Sequence, residues 1–110
     1  QARFLANSAC NSGDQPVLAL MSEISSGQAW GLGAIDGARF KGGWGPSVSG
    51  PYLVRQLGLI PTARGDVAVA IAAVPNSGQF GDGTAVLNTM AAWVGDHLED
   101  MPVGTCPPNG

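Results

Sequence analysis

Apolar positions recur at helical spacing near both ends of this chain and run in strand-like blocks through its middle. From Ala2 to Ala9 the pattern predicts a short helix with Phe4, Leu5 and Ala9 on one side, broken by Asn11-Ser12-Gly13-Asp14. Asp14 is placed to cap a second helix, Gln15–Ile24, with Pro16 in its first turn and Val17, Leu20, Met21 and Ile24 facing inward. Ser25-Ser26-Gly27 stops it. Trp30 to Ile35 then reads as a strand, interrupted by the turn residues Asp36-Gly37 and resumed from Ala38 to Lys41.

The segment Gly42 to Pro51 holds four glycines and two prolines and therefore reads as a loop. Tyr52 to Ile60 is a second strand, with Arg55 and Gln56 its strongly polar members. Pro61-Thr62-Ala63-Arg64-Gly65-Asp66 has hairpin chemistry. Val67 to Val74 is an unbroken apolar run, the mark of a central strand buried on both faces. Asp82-Gly83-Thr84 is set to cap a long helix reaching about Asp100, with Val86, Leu87, Met90, Ala91, Val94 and Leu98 at a period of 3.6. The order predicts an α+β layer: helices within 2–24, about three antiparallel strands within 30–74, a covering C-terminal helix over 84–100, and a tail over 101–110.

Composition narrows what such a layer can do. The chain of 110 residues suffices for one small domain. Charged residues make up only 12% of it, against about 25% in an average protein. The net charge of −3 excludes a phosphate-neutralising surface, so no nucleic-acid partner is expected. No apolar run approaches the ~20 residues that span a bilayer. The two cysteines, Cys10 and Cys106, stand too far apart in sequence for a structural zinc site. They read as a disulfide tying the two ends; free buried thiols are the alternative. Few lysines and many glycines and prolines favour an exported protein, whose signal peptide is not within these residues. Opening on Gln1 in mid-helix, with no methionine, the chain reads as a piece of something longer.

Lys41 is the only lysine, and it stands in Phe40-Lys41-Gly42-Gly43-Trp44-Gly45-Pro46, at the end of an apolar run and before two glycines. Together with Trp30-Gly31-Leu32-Gly33 and Tyr52-Leu53-Val54-Arg55-Gln56, and in this order of strands and helix, the segment resembles the C-terminal half of the β-lactamase-like and penicillin-binding-protein-like serine hydrolases, in a secreted bacterial branch. The resemblance covers about residues 15–100. It implies ester or amide hydrolysis through an acyl-serine, without a cofactor. On this likeness Lys41, Gly42 and Gly43 stand on the Lys-Thr-Gly motif. Lys41 would supply positive charge, and Trp44 would donate its backbone N–H to an oxyanion hole. Gly42 lacks the hydroxyl that holds a β-lactam carboxylate, which turns the expectation toward small esters or peptides.

The other two family motifs are absent. No Ser-x-x-Lys and no Ser-x-Asn occurs in the 110 residues, so Lys41 has no nucleophile of its own to activate. The expected partner is a missing N-terminal segment or second chain that carries Ser-x-x-Lys, or a second copy pairing at an exposed strand edge. The alternative function is a non-catalytic exported binding module that keeps part of this fold. Lys41 itself has a plain reading as a solvated strand-end lysine.

The remaining motifs fall short. Gly45-Pro46-Ser47-Val48-Ser49 lacks the final glycine of a nucleophile elbow. Gly31-x-Gly33 fails the dinucleotide fingerprint. His97, beside Asp96, suits a helix C-terminus, and Asp36, Asp66 and Asp82 suit turns or caps. Trp30 and Trp93 are expected in the core, and Trp44 as a pocket wall.

Overall fold

Strands β1 (Arg39–Pro46), β2 (Tyr52–Thr62) and β3 (Gly65–Ala73) form one antiparallel sheet in the order β1-β2-β3. The register sets Lys41 opposite Leu57, Trp44 opposite Val54, and Gly58 opposite Val69. Helices α1 (Ala2–Ala9), α2 (Gln15–Leu20) and α3 (Phe80–Asp96) complete the α+β architecture, in a computed structural model that describes residues 1–106. The last four positions of the expected tail lie outside the described residues.

Side chains alternate across a strand, so the sheet has two distinct faces. Phe40 and Trp44 of β1, Val54, Gln56 and Ile60 of β2, and Val67, Val69 and Ile71 of β3 share one face. There α3 lays Leu87, Ala91 and Val94 on the sheet, and Leu32 fills the gap beside Phe40. The other face is covered only in part. Leu5 of α1, with Leu18 and Met21 from α2 and its end, packs on Leu59, Leu57 and Ala68. Cys10, at the end of α1, is bonded to Cys106 with Cα atoms 5.2 Å apart, which settles the choice between disulfide and free thiols.

Several expectations are corrected. Residues 30–35 are not a strand; Gly31–Ala34 is a 3-10 turn. Its backbone is claimed by distant side chains: Asn88 Oδ1 accepts the Gly31 N–H at 2.6 Å and Gln56 Oε1 accepts the Leu32 N–H at 2.9 Å. Gly31 holds φ +62°, and the Gln56 amide occupies the space a Cβ there would need. The stretch Gly42–Pro46 is strand, because pairing with β2 overrides its glycines, and Pro46 is tolerated at a sheet edge. The loop is only Ser47–Pro51, closed by the Ser47 N–H donating to the Pro51 C=O at 2.7 Å.

β3 is an edge strand, not a central one. Its apolar run alternates after all: Val67, Val69 and Ile71 are buried, while Ala70 and Ala72 face solvent. Alanines on the open side disguised the period. In α2 the inward residue is Leu18, followed by Met21, and Val17 and Leu20 are 60% and 64% exposed. Asp14 makes no side-chain cap; the preceding 3-10 turn Ser12–Asp14 is capped by Asn11, whose Oδ1 takes the Gly13 N–H at 2.9 Å. That turn resets the phase of the helix. Likewise Leu5, not Phe4, anchors α1, and α3 begins at Phe80 and ends at Asp96, followed by a 3-10 turn Leu98–Asp100. Its buried stripe is narrower than the periodicity suggests, with Val86 and Trp93 in solvent. No helix of the described residues is long and apolar enough to cross a membrane.

Candidate functional site along the free edge of the first strand

The backbone of β1 can be oriented from two hydrogen bonds. The Phe40 N–H donates to the Met21 C=O at 3.0 Å, and the Gly42 C=O accepts from Lys41 Nζ at 2.8 Å. Neither partner belongs to β2. In an antiparallel strand the N–H and C=O of one residue point the same way, and alternate residues repeat it. Even-numbered residues of β1 therefore direct their backbone away from β2. Trp44 follows that parity, so its N–H points out from the free edge.

The side chains obey the complementary alternation. Lys41 lies on the face shared with Arg39 and Arg55, exposed, with Nζ 3.3 Å from Gln28 Oε1. Arg55 stands opposite Gly43, and its Nε lies 3.5 Å from the point a Cβ on Gly43 would occupy. The glycine is what lets the guanidinium lie along the strand. Arg39 is neutralised by Asp66 at 3.0 Å. Among the described residues neither Lys41 nor Arg55 has an acidic partner within ion-pair distance. The edge thus offers Lys41 and an outward N–H within a few residues, with Arg55 of the central strand on the Lys41 face.

Trp44 sends its side chain to the opposite face from Lys41. Only the backbone of Trp44 shares the edge with Lys41. Its indole, 45% exposed, leans on Phe80 with centroids 5.4 Å apart and on Trp30 at 6.2 Å, and Tyr52 closes on Phe80 at 6.5 Å. Gly42 lies beneath Trp30: a Cβ there would stand 2.8 Å from the ring, so the hydroxyl-bearing residue of the Lys-Thr-Gly pattern has no room. Trp30 is half-buried, not core, and its Nε1–H is buried without an acceptor among the described residues.

The other candidates are not brought to this edge. Ser47 and Ser49 contact each other at 3.2 Å in the exposed hairpin loop. His97, the sole histidine, stacks on the 58% exposed Trp93 with centroids 4.1 Å apart, its Nδ1 2.7 Å from the Trp93 carbonyl oxygen. Asp82 accepts the Ser77 hydroxyl at 2.5 Å in the first turn of α3. Asp36 lies in the exposed turn before β1. A wider cleft of about 590 Å³ opens at the disulfide, between α1, the start of β3 and residues 102–106. It is lined largely by alanines and Leu59; its charges are Arg3 and the Asp66 already paired with Arg39, so no reactive groups converge there.

Sequence reasoning missed Arg55 and Phe80 as parts of this region. Arg55 carried a legible signal, being the one charged residue of an apolar strand; Phe80 carried none, since its contact with Trp44 joins residues far apart in the chain. No protein-family model, no curated protein and no solved structure matches this chain.

Proposed function

We propose that this chain supplies one wall of an acyl-serine hydrolase site of the β-lactamase-like type, acting on small esters or peptides. The observation that carries the reading is the outward Trp44 N–H on the same free edge as Lys41, which has no acidic partner among the described residues. In acyl transfer a serine oxygen attacks a carbonyl carbon, and negative charge develops on the carbonyl oxygen. An N–H fixed in a strand stabilises that charge without reorganising, and one such donor is worth about 10²–10³ in rate. Lys41 on that edge and Arg55 on the neighbouring strand β2 add positive potential on one face of the sheet.

The serine and its base come from a segment or second chain carrying Ser-x-x-Lys, which packs on the uncovered half of the sheet over Gly43, Arg55, Ala70 and Ala72. The free edge of β3 is a second place for it to pair. The disulfide suits an exported protein, where such bonds persist. Native mass spectrometry of material from its natural source, followed by denaturing masses, tests the arrangement. A companion or longer polypeptide with Ser-x-x-Lys is expected, together with nitrophenyl-ester hydrolysis that Lys41→Ala lowers by at least about a hundredfold. Hydrolysis indifferent to Lys41→Ala overturns the reading. A lone chain that fluorophosphonates do not label leaves an exported binding module in its place.

A further inference from the structure

The end of the molecule where β1 turns into β2 carries no charge. Residues 44–53 and 74–81 contain no acidic or basic side chain, yet they hold Trp44, Val48, Tyr52, Val74 and Phe80. The two stretches meet because Phe80, which opens α3, packs on Trp44 and Tyr52 with centroids 5.4 and 6.5 Å apart. Ahead of these rings the Ser47–Pro51 loop, closed by its own backbone bond, carries Val48 fully exposed at its apex. Trp44, Val74 and Phe80 are exposed behind it. Asp82 follows Phe80 closely, but its carboxylate is engaged by the Ser77 hydroxyl.

The opposite end is acidic. Asp66 follows the β2–β3 turn, Glu99 shares a cleft with residues 61–64, and Gly37, next to Asp36, abuts Pro61. With Asp96 and Asp100, five of the eight acidic residues gather there against Arg39 and Arg64, so the negative charge is concentrated away from the apolar tip. The 11 residues of β2 join the two ends, about 35 Å of strand and several Debye lengths at physiological salt.

That division selects the partner. A protein interface surrounds its apolar centre with a polar rim. Here the order is reversed, with a lone apolar side chain leading and the aromatic rings standing behind it. A lipid surface matches that order: tryptophan and tyrosine sit at headgroup level, and apolar groups ahead of them enter the acyl boundary. The acidic end stays beyond the reach of lipid phosphates.

We infer that this end of the molecule docks on a lipid surface, with Val48 in the acyl boundary and Trp44, Tyr52 and Phe80 at headgroup depth. The chain then lies on a membrane without crossing it. The inference does not rest on the hydrolase reading, since a binding module with the same tip would dock in the same way.

The test is co-sedimentation of the disulfide-bonded chain with phosphatidylcholine vesicles. The protein is expected to pellet with the vesicles, equally at about 0.1 and about 0.5 M salt, because no charge carries the contact. Val48→Asp, at a fully exposed apex where folding is indifferent to it, should lower the partition coefficient at least about tenfold. Leu20→Asp charges an exposed apolar position on α2 instead, and should leave partition within about twofold of the parent. A parent that does not pellet, a Val48→Asp variant that pellets as well as the parent, or equal losses in the two variants overturn the inference. Sedimentation of the free protein distinguishes the other occupant. Self-association that Val48→Asp abolishes, without vesicle binding, would assign the tip to a second copy of this chain and overturn the lipid assignment. None of these failures bears on the hydrolase reading, which is decided by Lys41 in the assembled site.

Discussion

The two faces of the sheet are built on different terms. On one, α3 and the 3-10 turn seal Leu32, Val54, Ile60 and Leu87 completely from solvent, and even the polar Gln56 is enclosed and satisfied, accepting from the Leu32 N–H and donating to the Trp30 C=O at 2.6 Å. On the other, two short helices cover Leu57, Leu59 and Ala68 and stop, leaving Ala70, Ala72, Lys41 and Arg55 in solvent. The sealed face is held by packing. The open face is held by a smaller cluster around Leu5, Leu18 and Leu59 and by one disulfide, which ties the end of α1 to Cys106. Stability and chemistry are therefore separated: groups that would be costly to bury unpaired stand where nothing buries them.

The largest test of that division is the covalent tie. Replacing both cysteines, Cys10→Ser with Cys106→Ser, removes a link spanning 96 residues, and chain-entropy arguments give a loss of about 4–5 kcal/mol by denaturant unfolding. Hydrogen exchange should show α1 released first. A mutant in which α1 stays protected would mean that packing, not the bond, holds the open side.

Next in size is a matched pair of leucines. Leu87→Ala, in the sealed core, should cost about 2–5 kcal/mol. Leu20→Ala, on α2 and already exposed, should change stability by no more than about 0.5 kcal/mol. Equal losses would erase the contrast between the faces.

Gln56→Leu is a sharper probe of the same core. It leaves the Leu32 N–H unpaired, with a penalty of about 1–3 kcal/mol, leaves the Trp30 C=O with the Gly33 N–H at 3.3 Å, and should free the 3-10 turn that carries Leu32. A stabilised variant would show that the amide is not what fixes the turn.

The smallest effect on folding belongs to the residue of greatest functional interest. Lys41→Met should leave the unfolding stability within about 0.5 kcal/mol of the parent, since the ammonium is exposed and, among the described residues, bonded only to Gln28 and its own neighbour's carbonyl. A large destabilisation would make Lys41 a structural residue and remove it from the site.

Much of the fold was legible because local rules and burial agreed. Leu87, Ala91 and Val94 recur at helical spacing, and Tyr52–Thr62 and Gly65–Ala73 lie around a hairpin with turn chemistry. The disulfide was legible too, since two cysteines offer one intramolecular pairing. The misreadings have particular causes. Trp30–Ile35 has strand composition, yet Asn88 and Gln56 take its N–H groups from other elements. Gly42–Pro46 has loop composition, yet β2 pairs it into the sheet. Ala70 and Ala72 made an edge strand look central, because alanine is indifferent to which side of a sheet faces water.

For the candidate site, Lys41 and the glycines around it could be picked out by rarity and spacing alone. What they face could not. The sequence by itself determined the α+β class, the long C-terminal helix, the cross-chain bond, and the absence of a Ser-x-x-Lys nucleophile within these residues. The tertiary structure alone decided that Trp44 turns its N–H to a free edge and its indole away from Lys41, that Arg55 lies over Gly43, and that Trp30 fills the place of a side chain at Gly42. The physical reason is that a strand's direction of pairing and its choice of face are set by its neighbours, and those neighbours come from distant parts of the chain.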